Sequence, residues 1–326
     1  MYMDSLLTIK EIEKCRERLA AQIVTTPVHR WIGPVKNSLV GAEVELITKF
    51  ELLQHTGSFK TRGALNNVLG LDRCARDRGI VTVSSGNHGA ATAYAAQAIG
   101  ARAKIVMSRA ASPVRIALAR RHGAEVVLTE DVVAAFAKME QIVREEAMTL
   151  IHPFEGAGVA QGTGSLALEF YEQSGPFDAM IIPVGGGGLC GGMASAIKQL
   201  QPSCEIVGVE PEGADTMRRS LIVGKPITLD RIDTIADSLA PPMALPYSFN
   251  LCRENMDDIV LVSDDQIRGA MIQILAGLKL MVEPAAAAAV AALAGPLRGR
   301  FDGRRVGIVF CGGNIDLATF SQHVSQ

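Results

Sequence analysis

The sequence predicts an α/β protein built on two open, mostly parallel twisted sheets flanked by helices. Three observations carry that expectation. Short runs rich in β-branched residues alternate with helical stretches of roughly 10 to 17 residues, the pattern of βαβ units. Glycine-bearing loops stand between a strand and the helix that follows it, at 84–89 and 185–188. The alternation also occurs twice, with different dimensions and no sequence repeat, so two sheets with a ligand between them is the economical arrangement. Ligand loops are then expected at the carboxyl ends of the strands.

In order, residues 8–22 place Ile9, Ile12, Leu19 and Ala20 on one face between charged positions, a helical period that Thr25-Thr26-Pro27 ends. The run 44–50 reads as a strand, and 58–71 as a helix. Strands follow at 79–84, 103–107 and 125–128, separated by helices at 87–99 and 113–122 that Gly100 and Gly123 end, and a helix at 131–148 comes after the last of them. The second half gives strands 179–184, 205–209, 258–262 and 306–310, with helices at 189–200, 265–280 and 285–294. Pro241, Pro242 and Pro246 mark an irregular region.

With 326 residues and 48% hydrophobic composition, the chain has ample material for a buried core. Mean hydropathy is +0.22 and the sequence pI is near 6.3. A formal net charge of −2 offers no electrostatic footprint for nucleic acid or an anionic membrane, so neither is expected as a main partner. Met1-Tyr2-Met3-Asp4-Ser5 leads into a charged helix without an apolar signal core, and no uninterrupted apolar stretch is long enough to span a bilayer. A soluble, cytoplasmic protein is expected. Cysteines at 15, 74, 190, 204, 252 and 311 form no C-x-x-C pair and have no histidine at zinc spacing, so reduced thiols are expected.

Four stretches are chemically loaded. In Gln54-His55-Thr56-Gly57-Ser58-Phe59-Lys60-Thr61-Arg62-Gly63-Ala64, Lys60 falls in the first turn of a helix, where partial positive charge disfavours an ammonium. Such a lysine is either a surface residue near a helix start or a lowered-pKa amine able to form a Schiff base. Gly185, Gly186, Gly187 and Gly188 can close their N–H groups around a phosphate monoester at a helix N-terminus, or can serve as a hinge. Ser84-Ser85-Gly86-Asn87-His88-Gly89 offers hydroxyls, an amide and N–H groups for a carboxylate, while Asn87 could instead cap its helix. Cys311, in Cys311-Gly312-Gly313-Asn314, either packs in the core or faces a ligand ring.

Glycines after a strand, with Glu210 closing the next one, also imitate the dinucleotide fingerprint of NAD-dependent dehydrogenases. The four glycines do not reproduce its G-x-G-x-x-G order, and that reading gives Lys60 and the Ser84 loop no task. A two-domain amino-acid sensor is a further alternative, and it would need no reactive lysine.

Taken together, these stretches resemble the fold type II pyridoxal-phosphate enzymes, with the fold of the tryptophan synthase β chain, and within them the serine/threonine dehydratase and serine racemase branch. The likeness runs from Thr26-Pro27 through Lys49-Phe50-Glu51, the Lys60 and Ser84 stretches, His152-Pro153-Phe154, the four glycines, Val209-Glu210-Pro211 and Val282-Glu283-Pro284 to Cys311. It implies a large cofactor-binding domain, 1–76 with 153–326, and a small inserted α/β domain, 77–152. It implies that Lys60 holds pyridoxal 5'-phosphate through a Schiff base, that Phe59 packs on its ring, that Asn87 meets the ring hydroxyl and that the four glycines hold the phosphate. Cys311 then lies beside the ring nitrogen. Ser84, Ser85, Asn87 and His88 surround the substrate carboxylate, with Ser85 opposite Lys60.

Two places depart from the family's pattern. Its G-Q-G-T run is blurred at Gln161-Gly162-Thr163-Gly164-Ser165. A divalent cation in this branch uses an acid, a backbone carbonyl and a second acid; Glu210 and Ala214 match the first two, but Thr216 stands in the third place, which predicts weak or absent metal binding. The implied activity is an ammonia-lyase (dehydratase) converting a β-hydroxy amino acid such as threonine or serine to a 2-oxo acid and ammonia, with racemisation as the alternative. A homodimer is the base-rate oligomer.

Overall fold

A computed structural model describes residues 7–111 and 113–325; the Met1-to-Ser5 stretch lies outside the described residues. Among the described residues the strands are β1 Val28–Trp31, β2 Glu45–Lys49, β3 Ile80–Val83, β4 Ala103–Ser108, β5 Glu125–Thr129, β6 Thr149–Leu150, β7 Ala179–Pro183, β8 Glu205–Pro211, β9 Asp258–Val262 and β10 Arg305–Val309. They form a six-stranded sheet in the order β1-β2-β10-β7-β8-β9 and a four-stranded sheet in the order β5-β4-β3-β6. Only β1 runs antiparallel to its neighbour.

Parallel strands need helices on both faces, and the central strands read as continuous apolar runs for that reason. Every residue of β7 is buried, as is every residue of β8 after Glu205 and of β10 after Arg305. β1 is an edge strand with His29 and Arg30 exposed, and β6 has only two residues. Neither carries enough alternation to be legible in the sequence. All strands of the smaller sheet lie between Ile80 and Leu150, yet the core beneath it also takes in Cys15, Leu19, Ala64, Leu65 and Val68 from earlier helices.

The expected strands and helices are present with shifts of a few residues at their ends. The blurred glycine run is different: Gln161 to Ser165 lies inside an 18-residue helix, Ala157–Ser174. Its glycines are contact points. A Cβ on Gly162 would stand 2.6 Å from the Cα of Gly63, and one on Gly164 would meet Ile12 at 2.9 Å. Close helix packing is what demands glycine at these positions. Pro246 likewise opens a helix, Pro246–Asn255, at the position where its missing N–H costs nothing.

Candidate active site between the two sheets

The loaded loops all leave the carboxyl ends of parallel strands. Because β10 pairs with both β2 and β7, the segments that follow these three strands are neighbours. After β2 the chain makes two tight turns, Glu51–Leu53 and His55–Gly57, before the helix Lys60–Leu69 begins. Thr56 and Gly57 adopt positive φ angles of 62° and 73°, and a Cβ on Gly57 would stand 2.4 Å from Asn314 Oδ1. The Phe59 N–H donates to the Cys311 carbonyl at 3.0 Å, and the Gly313 N–H to the Gly57 carbonyl at 3.0 Å. Lys60 is thereby fixed against the end of β10.

The Lys60 ammonium donates to the Pro153 carbonyl at 2.6 Å and lies 5.1 Å from the centre of the Phe59 ring. Burial, opposed by the more distant Cys311 and Glu283, pushes its pKa down to about 8. The sequence argument relied on the helix N-terminus; loss of water is the leading cause here.

Behind Lys60 the same helix is tied down by charge. Arg62, wholly buried, donates through Nε and Nη2 to Glu51 at 2.9 Å each, and Nη2 also reaches Glu169 at 3.0 Å. Lys49 bonds Glu169 at 2.5 Å and the Thr26 carbonyl at 2.6 Å. Two cations and two carboxylates thus lock the end of β2 to the Lys60 helix and to Ala157–Ser174.

Gly185, Gly186 and Gly187 lead into the helix Gly188–Leu200, which has no side-chain cap. The Thr163 hydroxyl donates to the Gly188 carbonyl at 2.7 Å, and the Cys252 thiol to the Gly187 carbonyl at 3.6 Å. With two carbonyls turned away, the loop can offer its N–H groups to an anion. There is no room for side chains: a Cβ on Gly186 would sit 2.3 Å from the Phe154 ring, and one on Gly188 2.5 Å from the Phe154 carbonyl. This cradle fits a phosphate monoester. Phe59, Lys60, Asn87, Glu283 and Cys311 line the same small cavity.

Asn87 does not cap its helix. Gly86 holds the cap position without a side-chain bond, while the Asn87 amide donates to both oxygens of Glu283, at 2.7 and 3.0 Å, and accepts from Asn314 Nδ2 at 2.8 Å. Glu283 is fully buried, and desolvation raises its pKa to about 7 against the pull of the Asn87 bond. Ser84 and Ser85 line the adjoining cavity and are partly buried. His88 faces that cavity too, but its Nε2 is 2.9 Å from the Ile151 carbonyl, and burial lowers its pKa to about 3. It is a neutral group whose ring is already engaged. Cys311 is buried in the smaller cavity, and desolvation pushes its thiol well above its ordinary range.

Glu283, Phe154 and Asn314 received no role from the sequence, although the motifs containing them stood out. Glu283-Pro284 before an alanine run reads as an ordinary helix start; its burial against Asn87, 196 residues away, leaves no local signal.

At the proposed cation position, both Glu210 oxygens accept backbone N–H groups, from Met217 at 2.7 Å and Arg218 at 2.8 Å. Burial raises the Glu210 pKa to about 8. Thr216 donates its hydroxyl to the Pro241 carbonyl at 3.1 Å. The carboxylate therefore caps the helix Thr216–Val223.

The larger cavity, about 370 Å³, shares Lys60, Asn87, Phe154 and Gly186 with the smaller one. The chain is 46% identical over 322 residues to the phenylserine dehydratase of Ralstonia pickettii, covering 98% of this chain and 97% of that one. It is 35% identical to the catabolic L-threonine dehydratase of Escherichia coli, covering 98% and 96%. Among solved structures it is similar to maize serine racemase, with a TM-score of 0.91, 33% identity and coverage of 98% and 97%. Residues 21–312 match the family described as pyridoxal-phosphate dependent enzyme. A partly buried lysine of lowered pKa beside a glycine cradle that fits a phosphate, in a chain matched over that span, makes this protein a member of the pyridoxal-phosphate dependent enzyme family.

Proposed function

We propose that this chain is an ammonia-lyase that converts a β-hydroxy amino acid to a 2-oxo acid and ammonia. The observation that carries the reading is the Lys60 ammonium, partly relieved of its charge by burial, at the wall common to the glycine cradle and the larger cavity. Pyridoxal phosphate, when bound, supplies an electron-accepting ring that stabilises negative charge at the substrate's α-carbon. Gly185, Gly186, Gly187 and Gly188 hold its phosphate, with Phe59 and Cys311 beside its ring. Asn87, kept in place by Glu283 and Asn314, turns toward the ring hydroxyl.

Ser84, Ser85, Asn87 and the backbone around His88 receive the substrate's carboxylate. Lys60, as a neutral amine, takes the α-proton and hands it to the β-hydroxyl, which leaves as water; the released enamine tautomerises and one water hydrolyses it to the 2-oxo acid and ammonia. Cys311 stays an uncharged thiol, so it cannot hold a proton on the ring as a carboxylate would. Negative charge at the α-carbon is then short-lived, which favours loss of the hydroxyl over other outcomes. If Ser85 instead returns a proton on the face opposite Lys60, the product is the other enantiomer; the similarity to a serine racemase supports that second reading.

The same reading takes residues 77–152 as an inserted unit, supported by the strand partition, and the protein as a cytoplasmic homodimer acting on serine as well as threonine. All six cysteines are free thiols, and among the described residues no helix is long and apolar enough to cross a membrane. No step uses a divalent cation. The test is product stoichiometry: threonine, serine, phenylserine and 3-hydroxyaspartate are each incubated with the enzyme, and ammonia and 2-oxo acid should appear in equal amounts from at least one. Formation of only the opposite enantiomer would give the assignment to the racemase.

A further inference from the structure

The larger cavity has a mixed lining. Ser84, Ser85 and Asn87 join Lys60 in its polar part, and much of its apolar part comes from two other segments. One of these segments is the helix Val132–Glu146, which contributes Ala135, Phe136 and Met139, and the other is the loop carrying Pro241, Pro242 and Met243. Ala135 and Met139, four residues apart on one helix face, are buried in a cluster with Val81, Val106 and Ile142. They form a fixed floor. Phe136 differs: it lines the cavity yet is 46% exposed. An aromatic ring left half in water beside an apolar wall is surface that a ligand's ring would cover.

The charged groups of this cavity already have partners, some of them within it. Arg115 pairs with Asp237, and Lys60 is held on the Pro153 carbonyl. His152 Nδ1 accepts the N–H groups of Phe154 at 3.3 Å and Glu155 at 3.0 Å, and His88 is turned to Ile151. A substrate with a second carboxylate would bring it next to Asp237 with no uncommitted cation to receive it, a costly burial. The volume, about 370 Å³, is ordinary for a small-molecule site, and it is shared between the substrate and the cofactor's ring beside Lys60.

We propose that residues 135–139 and 241–243 form a specificity pocket for an aryl group on the substrate's β-carbon, with Phe136 as the selecting side chain. The preferred substrates are then β-aryl β-hydroxy amino acids, ahead of threonine, serine or 3-hydroxyaspartate. The naming of a β-hydroxy substrate rests on the lyase reading; the preference for an aryl side chain does not.

The experiment uses the cofactor-loaded enzyme and two readouts. In the first, kcat/KM for phenylserine should exceed that for threonine by about tenfold or more, the order expected when a large apolar group fills a matching pocket. Phe136→Ala should lower that ratio by about tenfold, and Phe136→Leu should restore most of it. Unaltered cofactor absorption would show that both variants are folded.

In the second readout, phenylalanine, alanine and aspartate, which carry no β-hydroxyl, are titrated against the cofactor's absorption band. Phenylalanine should bind about tenfold more tightly than alanine, with aspartate weakest. If no substrate yields a 2-oxo acid, the lyase reading falls, and the ranking of the three analogues still decides the pocket. A phenylserine-to-threonine ratio unmoved by Phe136→Ala, or aspartate binding more tightly than phenylalanine, overturns the inference.

Discussion

Replacing Arg62 with methionine should destabilise the fold severely while leaving Lys60 itself unaltered. Arg62 is wholly buried and serves two carboxylates, Glu51 and Glu169, at 2.9 to 3.0 Å. With Lys49 the cluster is balanced, two positive charges against two negative. Methionine fills much of the volume but leaves two buried carboxylates sharing one ammonium. Removing one partner from such a buried set costs about 3–5 kcal/mol. For a chain of this size that lowers the melting temperature by roughly 4–7 °C.

The pH dependence has a definite sign. In the native protein burial pushes the Glu169 carboxyl up, but Arg62 and Lys49 outweigh it and hold the pKa below its ordinary value. Glu169 therefore contributes stability that is present above the unfolded carboxylate pKa and lost as pH falls through the lowered folded value. Without Arg62 burial dominates, so the carboxylate is a liability that protonation relieves. The variant's deficit should be largest near pH 7 and shrink toward pH 5. Melting curves of both proteins at equal cofactor saturation, at the two pH values, measure this. A loss under about 2 °C, or a deficit that grows on acidification, would refute the account of the cluster.

Three further outcomes follow from the site. Gly186→Ala places a methyl 2.3 Å from the Phe154 ring, an overpacking cost of about 1–3 kcal/mol, so the cofactor's dissociation constant should rise about tenfold in an absorbance titration. Reloading of cofactor-free protein requires the neutral Lys60 amine; its rate should climb with pH and level off just above the Lys60 value of about 8, and a rise continuing to pH 10 would mean that burial does not tune this group. EDTA should change turnover little, because both Glu210 oxygens already accept backbone N–H groups; a large loss reversed by magnesium would show that other oxygens complete a cation site.

Much of the site was legible because its chemistry is local in sequence. Lys60, the four glycines and the Ser84 loop each occupy a few consecutive residues at the end of a strand, where a parallel sheet gathers its ligand loops. Residues whose meaning comes from distant partners were not legible. Glu283 matters through Asn87, Phe154 through Gly186 and Gly188, and Arg62 through Glu51 and Glu169. Asn87 looked equally suited to helix capping, and only the approach of Glu283 and Asn314 decides against it. The helix Ala157–Ser174 was hidden for the opposite reason: its glycines obey packing against Gly63 and Ile12, which overrides their local preference for loops. Edge strand β1 and two-residue β6 carry too little pattern to be seen at all.

The central claim is that Lys60 is the residue bonded to the cofactor, and borohydride reduction of the loaded enzyme followed by peptide mapping tests it most directly. The pyridoxyl group should be found on Lys60 alone, within the peptide that also holds Phe59 and Thr61, and Lys60→Ala should take up none covalently. A pyridoxyl group on Lys49, Lys104 or any other lysine would contradict the account.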